Sequence, residues 1–364
     1  MRKLHIWEHS GWPYLTWNNK ELSALLGEVR NKQGLFAGKI SLIGDNLKIK
    51  TLLDIAVADV MASARLEGVV LDEEMVMITS GRYLTKKKYA PNLTGDASTG
   101  AANIYADSLY NCNEPVTAKQ LFLWKYALEG KTDLDRSVMD WIPQESLFAV
   151  ASPKPPERKM EYFKLPVPLD TVKEMSAFID YVNTVHPTDP VIKAGVVYLR
   201  FLLIRPFDCD NGRIARNLAN IFLSKADNMS ERLYSLAAQI ESERRQYYNI
   251  LNEMLTANLD ITEWLRWFLY CVDKALDKAE NALIHVINKS KFFDRCRLVS
   301  LNERQLRIIN ILWDSPESSI SSSTYASLSK CSPDTALRDI QDLINKNILH
   351  KDNAGGRSTS YQLK

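Results

Sequence analysis

The stretch 194–223 limits the fold of this chain more than any other part of it. An apolar run ends at Ile204, the polar segment 205–216 (RPFDCDNGRIAR) follows, and apolar residues at helical spacing resume after it. This pattern predicts a buried helix, a tight loop and a second helix, with Pro206 ending the first helix. Within the loop, Asp-Asn-Gly is a turn sequence, and we expect Gly212 to take the positive φ that the turn needs.

The loop feeds a helix N-terminus, where free backbone N–H groups and the positive end of the helix dipole favour an anion. Arg213 and Arg216 are three residues apart, so they lie on one face of the second helix. Two guanidinium groups at this position predict a polyphosphate site. An interhelical turn with two surface arginines accounts equally well for these features taken alone.

The segment resembles the signature of Fic-domain proteins, His-Pro-Phe-x-Asp/Glu-Gly-Asn-Gly-Arg-x-x-Arg. The residues that match it are Pro206, Phe207, Asn211, Gly212, Arg213 and Arg216. The histidine, the acidic residue and the first glycine of the signature are replaced here by Arg205, Cys209 and Asp210. The resemblance implies a protein AMP-transferase that uses ATP and Mg²⁺ to modify a Ser, Thr or Tyr hydroxyl of a target protein.

The resemblance also implies a role for each matching position. Arg205 and Cys209 stand at the catalytic positions, and Asp208 and Cys209 are the candidates for holding Mg²⁺. Arg216 would pair with the γ-phosphate of ATP. The remaining candidates for nucleotide binding are Asp210, Asn211, Gly212 and Arg213 at the phosphates and Tyr247 and Tyr248 at the adenine.

The replaced residues put the chemistry in question. A guanidinium stays protonated at neutral pH, so Arg205 cannot act as a general base, whose loss costs roughly 10²–10⁴ in rate. Cys209 offers a soft ligand where Mg²⁺ prefers oxygen, unless Asp208 or Asp210 replaces it. We therefore expect weakened or lost AMP transfer. The alternative is a catalytically dead nucleotide- or protein-binding regulator that acts on DNA through its C-terminal domain.

An inhibitory helix is predicted upstream of the motif. Residues 52–70 have helical composition, and Ser63 and Glu67 lie four residues apart on one face. Ser63-x-x-x-Glu67-Gly68 resembles the inhibitory motif of Fic proteins, which implies a contact between Glu67 and Arg216, or else with Arg205 or Arg213. The other interpretation of Glu67 is a solvated carboxylate at a helix end.

The whole chain is predicted to be mainly α, with a Fic-type helical core, a β-hairpin flap and a C-terminal winged-helix domain. We expect an N-terminal helical domain over 1–100, a core over 101–290 and the winged helix over 301–364, with a linker in the turn-rich segment 95–100. By resemblance, the proline-rich region 147–163 is the flap that holds the target protein by strand addition. A proline-rich connection that binds nothing is the alternative.

The winged-helix prediction rests on three helices followed by a strand, a glycine turn and a second strand. DNA binding is expected through 332–357, with the side chains Ser332, Asp334, Thr335 and Arg338 facing a groove and Arg357 on the wing. Asp339 and Asp342 lower the positive charge of the same helix, so a protein-contact role is the alternative.

Composition sets the remaining bounds. A net charge of +2 argues against a strongly basic nucleic-acid-binding protein, although it does not exclude a local basic patch. Five cysteines without metal or disulfide spacing indicate a reducing cytoplasm. No apolar run of about 18 residues is present, so we expect no membrane-spanning helix. A homodimer is one alternative for the assembly of the protein.

Overall fold

The structure is a computed structural model that describes residues 4–41, 43–85, 95–131, 140–141, 170–229, 231–314, 319–352 and 359–364. The described part is mainly helical with one small antiparallel sheet, so the predicted fold class is confirmed. It divides into two compact units, Met1–Asn281 and Ala282–Lys364. Region 147–163, predicted as the flap, lies outside the described residues.

The first unit begins with a 3-10 helix at Ile6–Glu8 and continues as a series of α-helices. Their bounds are α1 Asn19–Ser41, α2 Asp45–Leu66, α3 Glu73–Thr85, α4 Ala97–Tyr110, α5 Ala118–Leu128, α6 Thr171–Asn183, α7 Pro190–Ile204, α8 Asn211–Asp227, α9 Leu236–Ser242, α10 Arg244–Leu255 and α11 Thr262–Cys296. Helix α11 continues past the end of this unit.

Helices α7 and α8 form the centre of the first unit. Thirteen of the fifteen residues of α7 are buried, because apart from Lys193 and Arg200 its sequence is apolar on every side. Asp189 accepts the N–H of Val191 and begins the helix, with Pro190 in the first turn. The predicted sequence of buried helix, loop and helix is therefore confirmed. The prediction of a positive φ at Gly212 is wrong, because the left-handed residues are Arg205 (φ 49°) and Asp210 (φ 66°).

The N-terminal helices pack around this pair. Helix α2 begins at Asp45, earlier than predicted, and ends just before Glu67 and the left-handed Gly68. The linker predicted over 95–100 is wrong, because Asp96 caps α4 and the helix has begun by Ala97. Gly100 lies inside α4, where a Cβ would come within 1.8 Å of the Ala127 carbonyl oxygen of α5. The glycine allows two helices to approach closely and does not make a turn.

The second unit contains the C-terminal part of α11 and a small mixed domain. Its further elements are α12 Glu303–Asp314, β1 Ser319–Ser321, α13 Ser322–Ser329, α14 Pro333–Asn345, β2 Leu349–Lys351 and β3 Ser360–Leu363. The sheet has the order β1-β3-β2, with both pairs antiparallel and Tyr361 opposite Ile320 and Lys351. Ile308, Ile340 and Leu343 are buried at its core.

Helix α14 buries a carboxylate in addition to its apolar residues. Leu337 is 47% exposed, whereas Asp339 is buried. The carboxylate of Asp339 accepts hydrogen bonds from Arg304 Nε at 2.8 Å and from Tyr325 Oη at 3.2 Å, and these partners make its burial tolerable. Among the helices that the structure describes, none is long and apolar enough to cross a membrane.

Candidate functional site

An aromatic cluster and one asparagine hold the loop between α7 and α8. The ring of Phe207 is buried, and its centroid lies 5.6 Å from that of Phe122, 5.4 Å from Trp141 and 6.4 Å from Phe201. The side chain of Asn211 accepts the N–H of Phe207 at 3.0 Å and donates to its carbonyl at 2.7 Å. Because both polar ends of this side chain are used inside the loop, an incoming phosphate would meet only the backbone N–H of Asn211.

Asp210 fills the space next to the N-terminus of α8. Its carboxylate accepts a hydrogen bond from Arg213 Nε at 2.9 Å and lies 3.2 Å from Lys125 Nζ. Burial raises the pKa of Asp210, but the charges of Arg213 and Lys125 outweigh burial and lower this pKa below its ordinary value. An internal carboxylate therefore already occupies the guanidinium of Arg213, which the sequence assigned to a phosphate.

Lys125 on α5 lies at the centre of the acidic side of the loop. Its ammonium is 2.6 Å from Cys209 Sγ and 2.9 Å from carboxylate oxygens of both Asp208 and Glu129, in addition to its contact with Asp210. The side chain of Lys125 is only 8% exposed. Its partners raise the pKa of Lys125 well above the ordinary value even though burial opposes the charge, so it is a fixed cation at any physiological pH.

The metal candidates do not form a good site for Mg²⁺. The ligand atoms of Glu129, Asp208 and Cys209 lie within 4.8 Å of one another, which is close enough to share an ion. The ammonium of Lys125, however, already contacts all three of them. Burial raises the pKa of the Cys209 thiol to about 11, so this group is neutral and soft where Mg²⁺ prefers anionic oxygen. The residues present therefore do not fit this metal.

Arg216 connects α8 to the predicted inhibitory helix. It is 1% exposed, and its Nη2 lies 3.0 Å from Glu67 Oε1, which confirms the predicted contact. Arg216 Nε donates to Ser63 Oγ at 2.8 Å, and Nη2 donates to the Ser63 carbonyl at 2.9 Å. On the other side, Nη1 donates to Tyr198 Oη at 3.5 Å. Ser63 and Glu67, four residues apart in the sequence, thus contact the same guanidinium.

The position of the Glu67 side chain explains why residue 212 is a glycine. A Cβ at position 212 would lie 1.9 Å from Glu67 Oε1, far inside any permitted contact. The carboxylate therefore reaches over the first turn of α8 at a point where only glycine leaves room for it. This close approach, and not a left-handed turn, explains the glycine.

Helices α9 and α10 fix the end of α2 that carries Glu67. Tyr248 Oη and Arg244 Nη2 donate to the carbonyl of Leu66, at 2.8 and 3.3 Å. The guanidinium of Arg65 makes two parallel hydrogen bonds to Glu241, at 2.6 and 2.7 Å. These contacts satisfy the carbonyl of Leu66 at the end of the helix and bring Glu67 up to Arg216.

The two tyrosines predicted at the adenine lie next to each other, with their ring centroids 5.0 Å apart. Tyr247 is buried, its hydroxyl lies 3.0 Å from that of Tyr198, and its ring stacks on Trp267 at 5.6 Å. Tyr248 contacts the end of α2 instead. Both residues are therefore next to the Arg216 cluster, and their predicted nucleotide contacts stay a prediction.

Arg205 lies at the end of α7 in a left-handed conformation, next to the loop. Its side chain is half-buried and makes no hydrogen bond to another described residue. Burial lowers the pKa of Arg205, and the negative charges of Glu67 and Asp208 act against this lowering. Glu67 contacts Arg216, so the alternative contacts to Arg205 or Arg213 are not the ones formed.

Sequence reasoning missed three residues of the site: Lys125, Glu129 and Tyr198. Lys125 and Cys209 are 84 positions apart, and such a pairing leaves no local spacing to find. The only sequence signal was the i,i+4 spacing of Lys125 and Glu129, and such pairs are common on solvated helix surfaces.

Parts of the chain are similar to known protein families. Residues 132–223 match the model of the Fic/DOC family, and residues 5–84 match a domain of unknown function, DUF4172. Over 114 residues the chain is 29% identical to a protein from Nematostella vectensis named protein adenylyltransferase Fic, a match that covers 31% of this chain and 25% of that relative. The chain thus spans only about a quarter of the length of this relative.

Two solved structures are similar to this one. A Fic family protein from Desulfovibrio desulfuricans aligns with a TM-score of 0.51 at 14% identity, over 97% of this chain and 98% of its own, which indicates a shared fold. Fic-1 from C. elegans aligns with a TM-score of 0.47 at 16% identity, over 75% of each chain. By the match to the family model, residues 132–223, which include the loop between α7 and α8, are similar to the Fic/DOC family.

Proposed function

We propose that this protein is a self-inhibited member of the adenylyltransferase type of Fic-domain proteins, with weakened or lost AMP transfer. The contact between Glu67 and Arg216 supports the inhibited state more than any other observation. The name of the Nematostella relative, protein adenylyltransferase Fic, supports the class of reaction, which is transfer of AMP to a protein.

The inhibition follows from how the guanidinium of Arg216 is used. Its Nε and both Nη atoms donate to Ser63, Glu67 and Tyr198, so the group has no free edge for a phosphate. A terminal phosphate of ATP would have to displace Glu67 to form the bidentate pair that arginine makes with phosphates. The side chain of Glu67 is 25% exposed, so it can leave without unfolding α2.

We expect weakened transfer because Arg205 stands where the Fic signature has its histidine. The guanidinium of Arg205 is charged at neutral pH and cannot take a proton from a target hydroxyl. His186, a histidine in the turn before α7, is too distant to replace it, because the loop lies at the other end of this helix. The fifteen residues of α7 correspond to about 22 Å at 1.5 Å per residue.

A second candidate function is supported by α14. Its acidic residues are partly neutralised, since Asp339 is bound by Arg304 and Asp342 lies beside Lys346. Arg338 is exposed on the same helix. A regulator that binds DNA or protein through 332–357, with the first unit binding a nucleotide without transfer, is consistent with this surface. Arg357 lies outside the described residues.

Labelled ATP provides the test of the main proposal. The protein is incubated with ATP labelled on the α-phosphate and with Mg²⁺, as wild type and as Glu67→Gly, and both label transfer and ATP binding are measured. Weak auto-modification that appears only in Glu67→Gly is the expected result. Arg65→Gln is the matched control, because it loosens the same end of α2 but leaves Glu67 on Arg216.

Three other outcomes would change the proposal. Strong labelling by the wild type would remove both the inhibition and the loss of chemistry. Labelling by Arg65→Gln equal to that of Glu67→Gly would mean that loosening α2, and not freeing Arg216, is what matters. ATP binding by Glu67→Gly without any transfer would favour the regulator.

A further inference from the structure

We propose that the ammonium of Lys125 is the built-in cation of the motif loop and takes the place of a divalent metal there. This inference rests on the proposed function, because adenylyltransferase chemistry is what would require a metal at this loop. It concerns a residue of α5 that lies outside the motif itself.

The contacts of Lys125 are those of a bound cation. Four acceptor groups surround its nitrogen: carboxylate oxygens of Asp208, Glu129 and Asp210 at 2.9 to 3.2 Å, and the sulfur of Cys209 at 2.6 Å. Three of them, on Glu129, Asp208 and Cys209, are the atoms that lie close enough together to share an ion. A metal placed among these atoms would overlap the ammonium or displace it.

The charges around the loop are already balanced. The carboxylates of Asp208, Asp210 and Glu129 carry three negative charges. Against them stand the ammonium of Lys125, the guanidinium of Arg213 on Asp210, and the ammonium of Lys131, which lies 2.7 Å from Glu129. The guanidinium of Arg205, on which the charge of Asp208 acts, adds a further positive charge at the loop. A divalent cation would therefore enter a cluster without excess negative charge and face a buried positive charge at contact distance, which is unfavourable.

The fold fixes Lys125 in this position. Phe122 precedes it by three residues on the same face of α5, and its ring packs edge-on against Phe207 of the loop at 5.6 Å. Glu129, four residues after Lys125, binds the ammonium from the helix side. One face of α5 therefore supplies an apolar contact and a charged contact to the same loop, so Lys125 does not reach it by chance.

Manganese binding tests this inference, because Mn²⁺ has the ligand preferences of Mg²⁺ and is visible by electron paramagnetic resonance. Wild type, Lys125→Met and Lys119→Met are titrated with Mn²⁺ without nucleotide, each with and without Asp208→Asn. Lys119 is the matched control, since it is an exposed lysine on the same helix. We expect Lys125→Met to bind one Mn²⁺ that Asp208→Asn removes, and wild type and Lys119→Met to show no such site.

Two outcomes would overturn the inference. The first is a Mn²⁺ site in wild type that Asp208→Asn removes, since the metal would then enter beside Lys125. The second is a folded Lys125→Met that binds no Mn²⁺ at the loop. If Lys125→Met does not fold, Lys125→Gln replaces it, and the wild-type titration decides in any case. Neither result depends on ATP, so a failure of the proposed function would be seen separately in the labelling experiment.

Discussion

The contact between Glu67 and Arg216 predicts how firmly the end of α2 is held. The two charged atoms lie 3.0 Å apart, and the side chain of Arg216 is 2% exposed against 25% for Glu67. At an effective dielectric constant of about 20, this separation corresponds to roughly 5 kcal/mol of attraction before solvation is counted. Desolvation of the arginine offsets more than half of that, which leaves a coupling free energy of about 2 kcal/mol.

A double-mutant cycle measures this coupling. The four proteins are wild type, Glu67→Gln, Arg216→Met and the double variant, and the readout is hydrogen exchange of a peptide that covers the last turns of α2. This readout reports the local opening free energy under native conditions and does not require that both units unfold together. If Arg216→Met unfolds the protein, Arg216→Lys takes its place.

The pair Arg65–Glu241 is an internal control on the same helix end. Arg65 is 52% exposed, so its coupling to Glu241 should be only about 0.5 kcal/mol despite two short hydrogen bonds. Equal couplings for the two pairs, or a Glu67–Arg216 coupling near zero, would refute the reasoning. The contact would then be a surface ion pair that does not hold the site closed.

Three further predictions concern packing, pH and the second unit. Gly100→Ala should lower the unfolding free energy by about 2 kcal/mol or more in urea titrations, because its Cβ would meet the α5 backbone at 1.8 Å, whereas Gly81→Ala, in open space on α3, should raise it by about 0.5–1 kcal/mol. Burial lowers the pKa of Lys193 to about 8, so its folded form binds fewer protons above this pH than the unfolded chain. Wild type should therefore gain roughly 1–2 kcal/mol of stability between about pH 7.5 and about pH 9.5 that Lys193→Met does not gain. If Arg338 and Arg357 contact phosphates, duplex DNA should bind in a shift assay at low salt and dissociate steeply as salt rises, and no complex at low salt would indicate a protein-contact role.

The parts of the fold that the sequence predicted well are those with local causes. The apolar period of α7 and α8 and the break at Pro206 each depend on residues that are close together in the sequence. The contact between Ser63, Glu67 and Arg216 was also within reach, because helical spacing put the first two on one face. Its partner came from the resemblance of the two motifs and not from spacing.

The parts that could not be predicted depend on contacts between distant helices. Nothing near Lys125 in the sequence indicates that its ammonium reaches Cys209, and nothing near Gly212 indicates that a carboxylate of α2 lies over it. The turn-like composition at 95–100 was misleading for the same reason, because Gly100 allows the close approach of the α5 backbone and does not make a turn. In each case the position and type of a small or charged residue depend on a contact with a residue that is distant in the sequence.

The position of Lys125 on α5, a helix distant from the motif in the sequence, also determines which substitutions we expect to give AMP transfer. Arg205→His returns a group that can accept a proton near neutral pH, and Glu67→Gly frees Arg216. Cys209→Asp adds a carboxylate, but the ammonium of Lys125 lies 2.6 Å from the present sulfur and would pair with the new group before a metal could. We therefore expect the triple variant to be labelled no more strongly than Glu67→Gly alone with labelled ATP and Mg²⁺, and the same variant with Lys125→Met to be labelled clearly more strongly, because residues that act as a unit are far from additive. Equal labelling with and without Lys125 would mean that this lysine does not control the metal position.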